Sequence, residues 1–122
     1  MAEEEPERLS LTITPEARQC IEATSECYSV VTETLSYSLD GKAHLSDPAH
    51  LRLLIDGAEI CQTTQNALLR GSTLGTMLAA VCVEACEKLA ETCRRLDGSD
   101  EQLTTCAEMC DETAESCRQL AI

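Results

Sequence analysis

Apolar residues recur along this chain at spacings of three, four and seven, the repeat of one helix face. Leu78, Cys82, Cys86, Leu89, Cys93 and Leu96 stay within about 40° of one line when each residue advances by about 100°. Leu103, Cys106, Cys110, Thr113, Cys117 and Leu120 trace the same line 24 or so residues later, while Glu84, Glu91, Arg94, Glu108, Glu115 and Arg118 fall on other faces. Start and stop signals divide the rest. Thr14 before Pro15 and Asp47 before Pro48 each read as an N-cap followed by proline in the first turn. Gly71 ends one helix and the next restarts near Thr73. Gly98 stops another helix, Ser99 caps the last, and Gln102 supplies the return half of a capping box. The signals predict helices over roughly 15–38, 48–70, 73–96 and 99–120. Connections this short allow only antiparallel neighbours, so the expected fold is all-α, an antiparallel up-down-up-down four-helix bundle with a cysteine-lined core. Residues 1–12 read as an acidic flexible tail and 13–122 as a single domain.

Composition narrows the function. Twenty-two acidic residues against nine Lys and Arg give a net charge of −13, which repels phosphate backbones and anionic membranes and argues against nucleic-acid binding. The first residues lack a basic and apolar leader, and no apolar run reaches membrane-spanning length, so a cytoplasmic protein is expected. No Ser-His-Asp set, glycine-rich phosphate loop or paired catalytic carboxylates occur; the expectation is a protein that is not an enzyme.

Nine cysteines then become the main chemical feature. In a reducing compartment they read as free thiols or metal ligands rather than a disulfide framework, and the odd number leaves one over in any case. Three of them repeat in register: "CVEACEKLAETCRRL" (82–96) and "CAEMCDETAESCRQL" (106–120) share eight of fifteen positions. Cys20 and Cys27 share a face of the first helix, and Cys61 shares one of the second with His50, Leu54 and Leu68. Side chains four apart on a helix are neighbours, so Cys82 with Cys86, and Cys106 with Cys110, can converge on one ion. Soft thiolates favour Cu(I), which accepts two or three sulfurs, whereas zinc wants a closed tetrahedron and iron–sulfur clusters favour cysteines on loops.

The run "LLRGSTLGTMLAAVCVEACEKLAETCRRLDGSDEQLTTCAEMCDETAESCRQLA", with "LLIDGAEIC" upstream, resembles the cysteine-rich four-helix bundle family that includes the bacterial copper storage proteins. The resemblance spans about 100 residues and rests on the paired C-x3-C motifs, the "RGS" turn and the A-E-x-C-R endings. It implies core thiolates that hold several Cu(I) ions, keep copper from redox chemistry and have no turnover. Matched residue by residue, the inward thiols are Cys20, Cys27, Cys61, Cys82, Cys86, Cys93, Cys106, Cys110 and Cys117. Richer members would place further cysteines where this chain has Thr24, Gly57, Leu89 and Thr113, which implies a reduced capacity here. Gly57 lies mid-helix with no local reason.

His50, at the start of the second helix on the inward side, is either an entrance ligand or a partly exposed helix-end residue; His44 is expected in solvent. Two readings stand: a cytosolic Cu(I) storage or buffering bundle with Cys82, Cys86, Cys106 and Cys110 as its best sites, or a structural bundle whose cysteines mainly pack as small hydrophobes. A thiol redox sensor ranks third, since reactive cysteines are exposed and electropositive. Val30, Leu35, Ile55, Val81 and Val83 lie off the inward stripes and suggest a homo-oligomer.

Overall fold

A computed structural model describes residues 13–41 and 43–121. Four helices account for most of them: α1 (Pro15–Asp40), α2 (Pro48–Leu69), α3 (Gly75–Leu96) and α4 (Glu101–Arg118), with a short 3-10 turn over Ala43–Ser46. α1 packs on α2 and α4, and α3 packs on the same two, which is the square of an antiparallel up-down-up-down bundle. The acidic tail expected over 1–12 lies outside the described residues.

The first two starts follow the sequence signals. Thr14 accepts a hydrogen bond from the Ala17 amide at 3.1 Å, Asp47 accepts one from His50 at 3.1 Å, and proline opens both helices. At the α2–α3 turn the chain closes a Schellman motif: Ser72 N–H donates to Ala67 O and Gly71 N–H to Leu68 O. Gly71 takes φ 65°, the left-handed value that a Cβ disfavours. α3 resumes at Gly75, two residues later than expected, with no side-chain cap.

The fourth start differs from expectation. Asp100, not Ser99, caps α4, its Oδ1 accepting from the Leu103 amide at 2.9 Å. Ser99 turns back to Asp97 instead. Gln102 makes no capping box; it crosses to α1 and donates to Thr34 Oγ1 at 2.9 Å. Asp100 also accepts from the Tyr37 hydroxyl at 2.6 Å, so one carboxylate caps α4 and ties it to α1. Burial alone would raise its pKa, but the Tyr37 hydroxyl and the Leu103 amide outweigh it and hold the carboxyl below its ordinary value. A carboxyl lowered by folding stabilises above its unfolded pKa, and that contribution is lost as pH falls through the folded value. Asp100→Ala is therefore expected to cost about 1–2 kcal/mol near neutrality, with the gap from wild type closing in acid. Urea melts of both proteins at neutral and acidic pH check this; a gap that persists in acid would remove the carboxylate from the account.

The interior is narrow and lacks aromatic residues. Val31, Leu45, Leu54, Leu89 and Leu103 are fully buried, alanines 79 and 107 bring the helices close, and all nine cysteines lie inside. Buried threonines spend their hydroxyl protons locally. Thr24 donates to Cys20 O, Thr34 to Val30 O, Thr64 to Ile60 O and Thr113 to Met109 O, at 2.7–2.8 Å, each one turn back on its own helix. Gly57 now has a packing reason. A Cβ there would lie 2.4 Å from Leu89 Cδ1, so α2 gives up a side chain to seat the leucine of α3.

Of the five off-stripe residues, Val30, Leu35 and Val83 pack partly buried against the core, while Ile55 and Val81 remain exposed. The first three are partly covered, so Ile55 and Val81 leave the most apolar surface of the five in solvent. No helix among the described residues is long and apolar enough to cross a membrane.

Candidate metal centre

Each helix contributes thiols because its inward stripe carries cysteine where a bundle ordinarily has leucine or alanine. α1 supplies Cys20 and Cys27, α2 Cys61, α3 Cys82, Cys86 and Cys93, and α4 Cys106, Cys110 and Cys117. None is more than 1% exposed, and none is in a disulfide.

The sulfurs meet both along and across helices. In both C-x3-C pairs, Cys82 with Cys86 and Cys106 with Cys110, the thiols lie near enough to influence each other's acidity. Across helices, Cys20 lies 2.9 Å from Cys117, Cys61 3.9 Å from Cys82, and Cys27 4.0 Å from Cys110. Cys82 with Cys117, Cys86 with Cys110 and Cys93 with Cys106 lie near enough to influence one another's acidity, so thiols are distributed from the chain-terminal end of the bundle toward the opposite end. At its middle, Cys27, Cys61 and Cys86 bring their sulfurs within 4.8 Å of one another, one from each of three helices. That grouping depends on the relative heights of α1, α2 and α3, which no local spacing encodes.

Proximity sets the acidity of these thiols. The Cys110 thiol, with Cys61 and Cys86, stabilises a thiolate at Cys27 and pushes its pKa down; Cys117 does the same for Cys82, and Cys110 for Cys106. The partners move the other way. Cys61 is raised by Cys27, Cys86 by Cys110, Cys110 by Cys106, Cys93 by Cys106, and Cys117 by Cys20, with burial adding to each.

His50 is fully buried, not the partly exposed helix-end residue that its position suggested. The 3-10 turn over Ala43–Ser46 packs on both α1 and α2 and buries Leu45, closing that end of the bundle. His50 Nε2 lies 3.4 Å from Ser38 Oγ, while Nδ1 has no hydrogen-bond partner. Burial lowers its pKa, partly offset by Cys106 and Asp47. His44 is exposed, as expected, with Nε2 3.2 Å from Asp97 Oδ2.

Thr24, Gly57, Leu89 and Thr113, the four non-cysteine positions singled out in the sequence, are all buried. They fall into two cross-helix arrangements. Leu89 fills the space over Gly57, and Thr113 Oγ1 lies 3.3 Å from Ala23 O, beside Thr24 on α1.

The family model described as copper storage protein matches residues 13–122. This chain belongs to the copper storage protein family. The Nmul_A1745 protein from Nitrosospira multiformis is 34% identical, with 87% of this chain and 94% of that one covered and a TM-score of 0.80. The Cu(I)-bound copper storage protein BsCsp3 is 28% identical over 88% of this chain and 99% of its own, with a TM-score of 0.79. Ccsp, the copper storage protein from Streptomyces lividans loaded with 10 copper equivalents, shares the fold at 23% identity and a TM-score of 0.79, over 86% and 83% of the two chains. No curated protein matches. In this copper storage family member the nine buried thiols share the core with Leu89 and the hydroxyls of Thr24 and Thr113.

Proposed function

We propose that this chain stores or buffers Cu(I) in the cytoplasm on the thiolates of its bundle core, as a binding protein without turnover. The observation that carries the reading is the group of Cys27, Cys61 and Cys86, whose sulfurs lie within 4.8 Å of one another in a core that buries all nine cysteines. A three-sulfur group suits Cu(I), which accepts two or three soft ligands, better than zinc, which would need a fourth. Cys82 with Cys86 and Cys106 with Cys110 offer two-sulfur sites along single helices. Cys20, Cys93 and Cys117 extend the set, and the unpartnered Nδ1 of His50 makes that histidine a ligand candidate at the opposite end.

The chemistry is exchange of protons for copper. Each thiol that takes an ion gives up its proton, and burial then keeps water and oxidants from the metal. Residues 13–122 act as one domain in this reading. Self-association through the exposed Ile55 of α2 and Val81 of α3 belongs to it as well.

Anaerobic titration of the reduced protein with Cu(I), against a chromophoric chelator, tests the proposal. Several equivalents are expected to leave the chelator, and a variant with Cys82, Cys86, Cys106 and Cys110 changed to serine is expected to take up far fewer. No withdrawal of copper by the wild-type protein would leave the cysteines as packing residues.

A further inference from the structure

One thiol pair differs from the rest of the buried thiols. Cys20, in the second turn of α1, and Cys117, in the last turn of α4, have sulfurs 2.9 Å apart, while the next cross-helix pairs stand at 3.9 and 4.0 Å. A disulfide needs about 2.05 Å, so the first pair has to close by about 0.9 Å and the others by about twice as much. Side-chain rotation can supply the smaller movement. The pair also sits at the end of the bundle where α1 begins and α4 finishes, and helix ends open locally far more often than a core middle does. A small oxidant reaches this end first.

We infer that Cys20 and Cys117 form a redox-sensitive pair, which hydrogen peroxide converts to a disulfide joining the first helix to the last. One sulfur attacks peroxide: an S–O bond forms, the O–O bond breaks, and the departing hydroxide leaves as water with the thiol proton. The second sulfur then attacks the resulting sulfenic acid: the S–S bond forms, the S–O bond breaks, and a second water leaves. Two thiols lose two electrons in total and one peroxide becomes two waters. Burial and acidic surroundings make the first step slow, so the cross-link accumulates under sustained oxidant rather than at once.

Its effect on copper rests on the storage reading above. Both sulfurs leave the ligand set, and Cys82, near Cys117, loses a neighbour with which to share an ion. By linkage, copper held at this end protects the pair in turn. Oxidation of the metal-free pair therefore removes this end's capacity for copper, whereas copper already bound there blocks the cross-link.

Treatment of reduced, metal-free full-length protein with one equivalent of peroxide, followed by non-reducing peptide mapping, tests the pair. Loss of two of the nine thiols is expected, with the Cys20 and Cys117 peptides as the dominant cross-linked species. Cross-links mainly between other cysteines, or thiols consumed with no cross-link, would overturn it. Cys20→Ser is expected to abolish that species, and the wild-type map stands even if the variant misfolds. Protein preloaded with Cu(I) is expected to keep its thiols; equal cross-linking with and without copper would refute the link to the store. Because the first arm contains no metal, a cross-link in a protein that binds no copper separates failure of the storage reading from failure of this one.

Discussion

Saturating the reduced protein with Cu(I) is expected to raise its melting temperature by about 15 °C or more, since a ligand present at 1,000 times its dissociation constant adds about 4 kcal/mol per site and each kcal/mol moves a domain of this size by about 4 °C. The reason is geometric as well as thermodynamic. An ion held by Cys27, Cys61 and Cys86 joins three helices at the centre of the bundle, and such a site does not exist in the unfolded chain. Changing those three cysteines to serine is expected to remove most of the shift while leaving within-helix binding at Cys106 and Cys110. Far-ultraviolet circular dichroism melts under argon measure it. Coincident curves for loaded and metal-free protein would mean that copper, if bound, sits on the surface.

The second large effect concerns Leu89 and Gly57. Leu89→Ala removes a fully buried side chain and is expected to cost about 2–5 kcal/mol. Gly57→Ala alone should also destabilise, even though a mid-helix glycine costs about 1 kcal/mol relative to alanine. The new Cβ meets Leu89 Cδ1 at 2.4 Å, and a leucine with no exposure has little room to retreat. In the Leu89→Ala background the obstacle is gone, so the same Gly57→Ala change is expected to become stabilising. Denaturant melts of the four proteins in this cycle give the coupling. A single Gly57→Ala variant more stable than wild type would show that the leucine moves aside freely.

That pair also marks where sequence reasoning runs out. The period of three and four, with Thr14–Pro15 and Asp47–Pro48, locates the helices and their inward faces, because those are local properties of the chain. The thiols fall inside for the same reason. Contacts between helices are another matter. Gly57 is inexplicable from α2 alone, since its reason is a leucine 32 positions later on α3. Gln102 reads as a capping residue until Thr34 of α1 takes its side chain. His50 reads either as an inward entrance ligand or as a partly exposed helix-end residue, until a turn between helices packs at its end of the bundle and the ring is found fully buried. The central sulfur group likewise depends on helix heights; spacing finds Cys82 with Cys86 but cannot find Cys27 with Cys61. Alternation of aspartates at 97 and 100 adds a local failure, as Asp97 engages Ser99 and leaves Asp100 to cap α4.

Short connections between consecutive helices carry a kinetic consequence. Three of the four helix interfaces join neighbours in the chain, and only α1 with α4 brings distant residues together. Chains dominated by such near-sequence contacts fold within microseconds to milliseconds, far faster than any slow exchange of a tightly held ion. The cage is thus complete before its cargo arrives. A bundle that folds this way does not need copper to template it as zinc templates a finger, and the metal-free chain is expected to be fully helical before any ion binds.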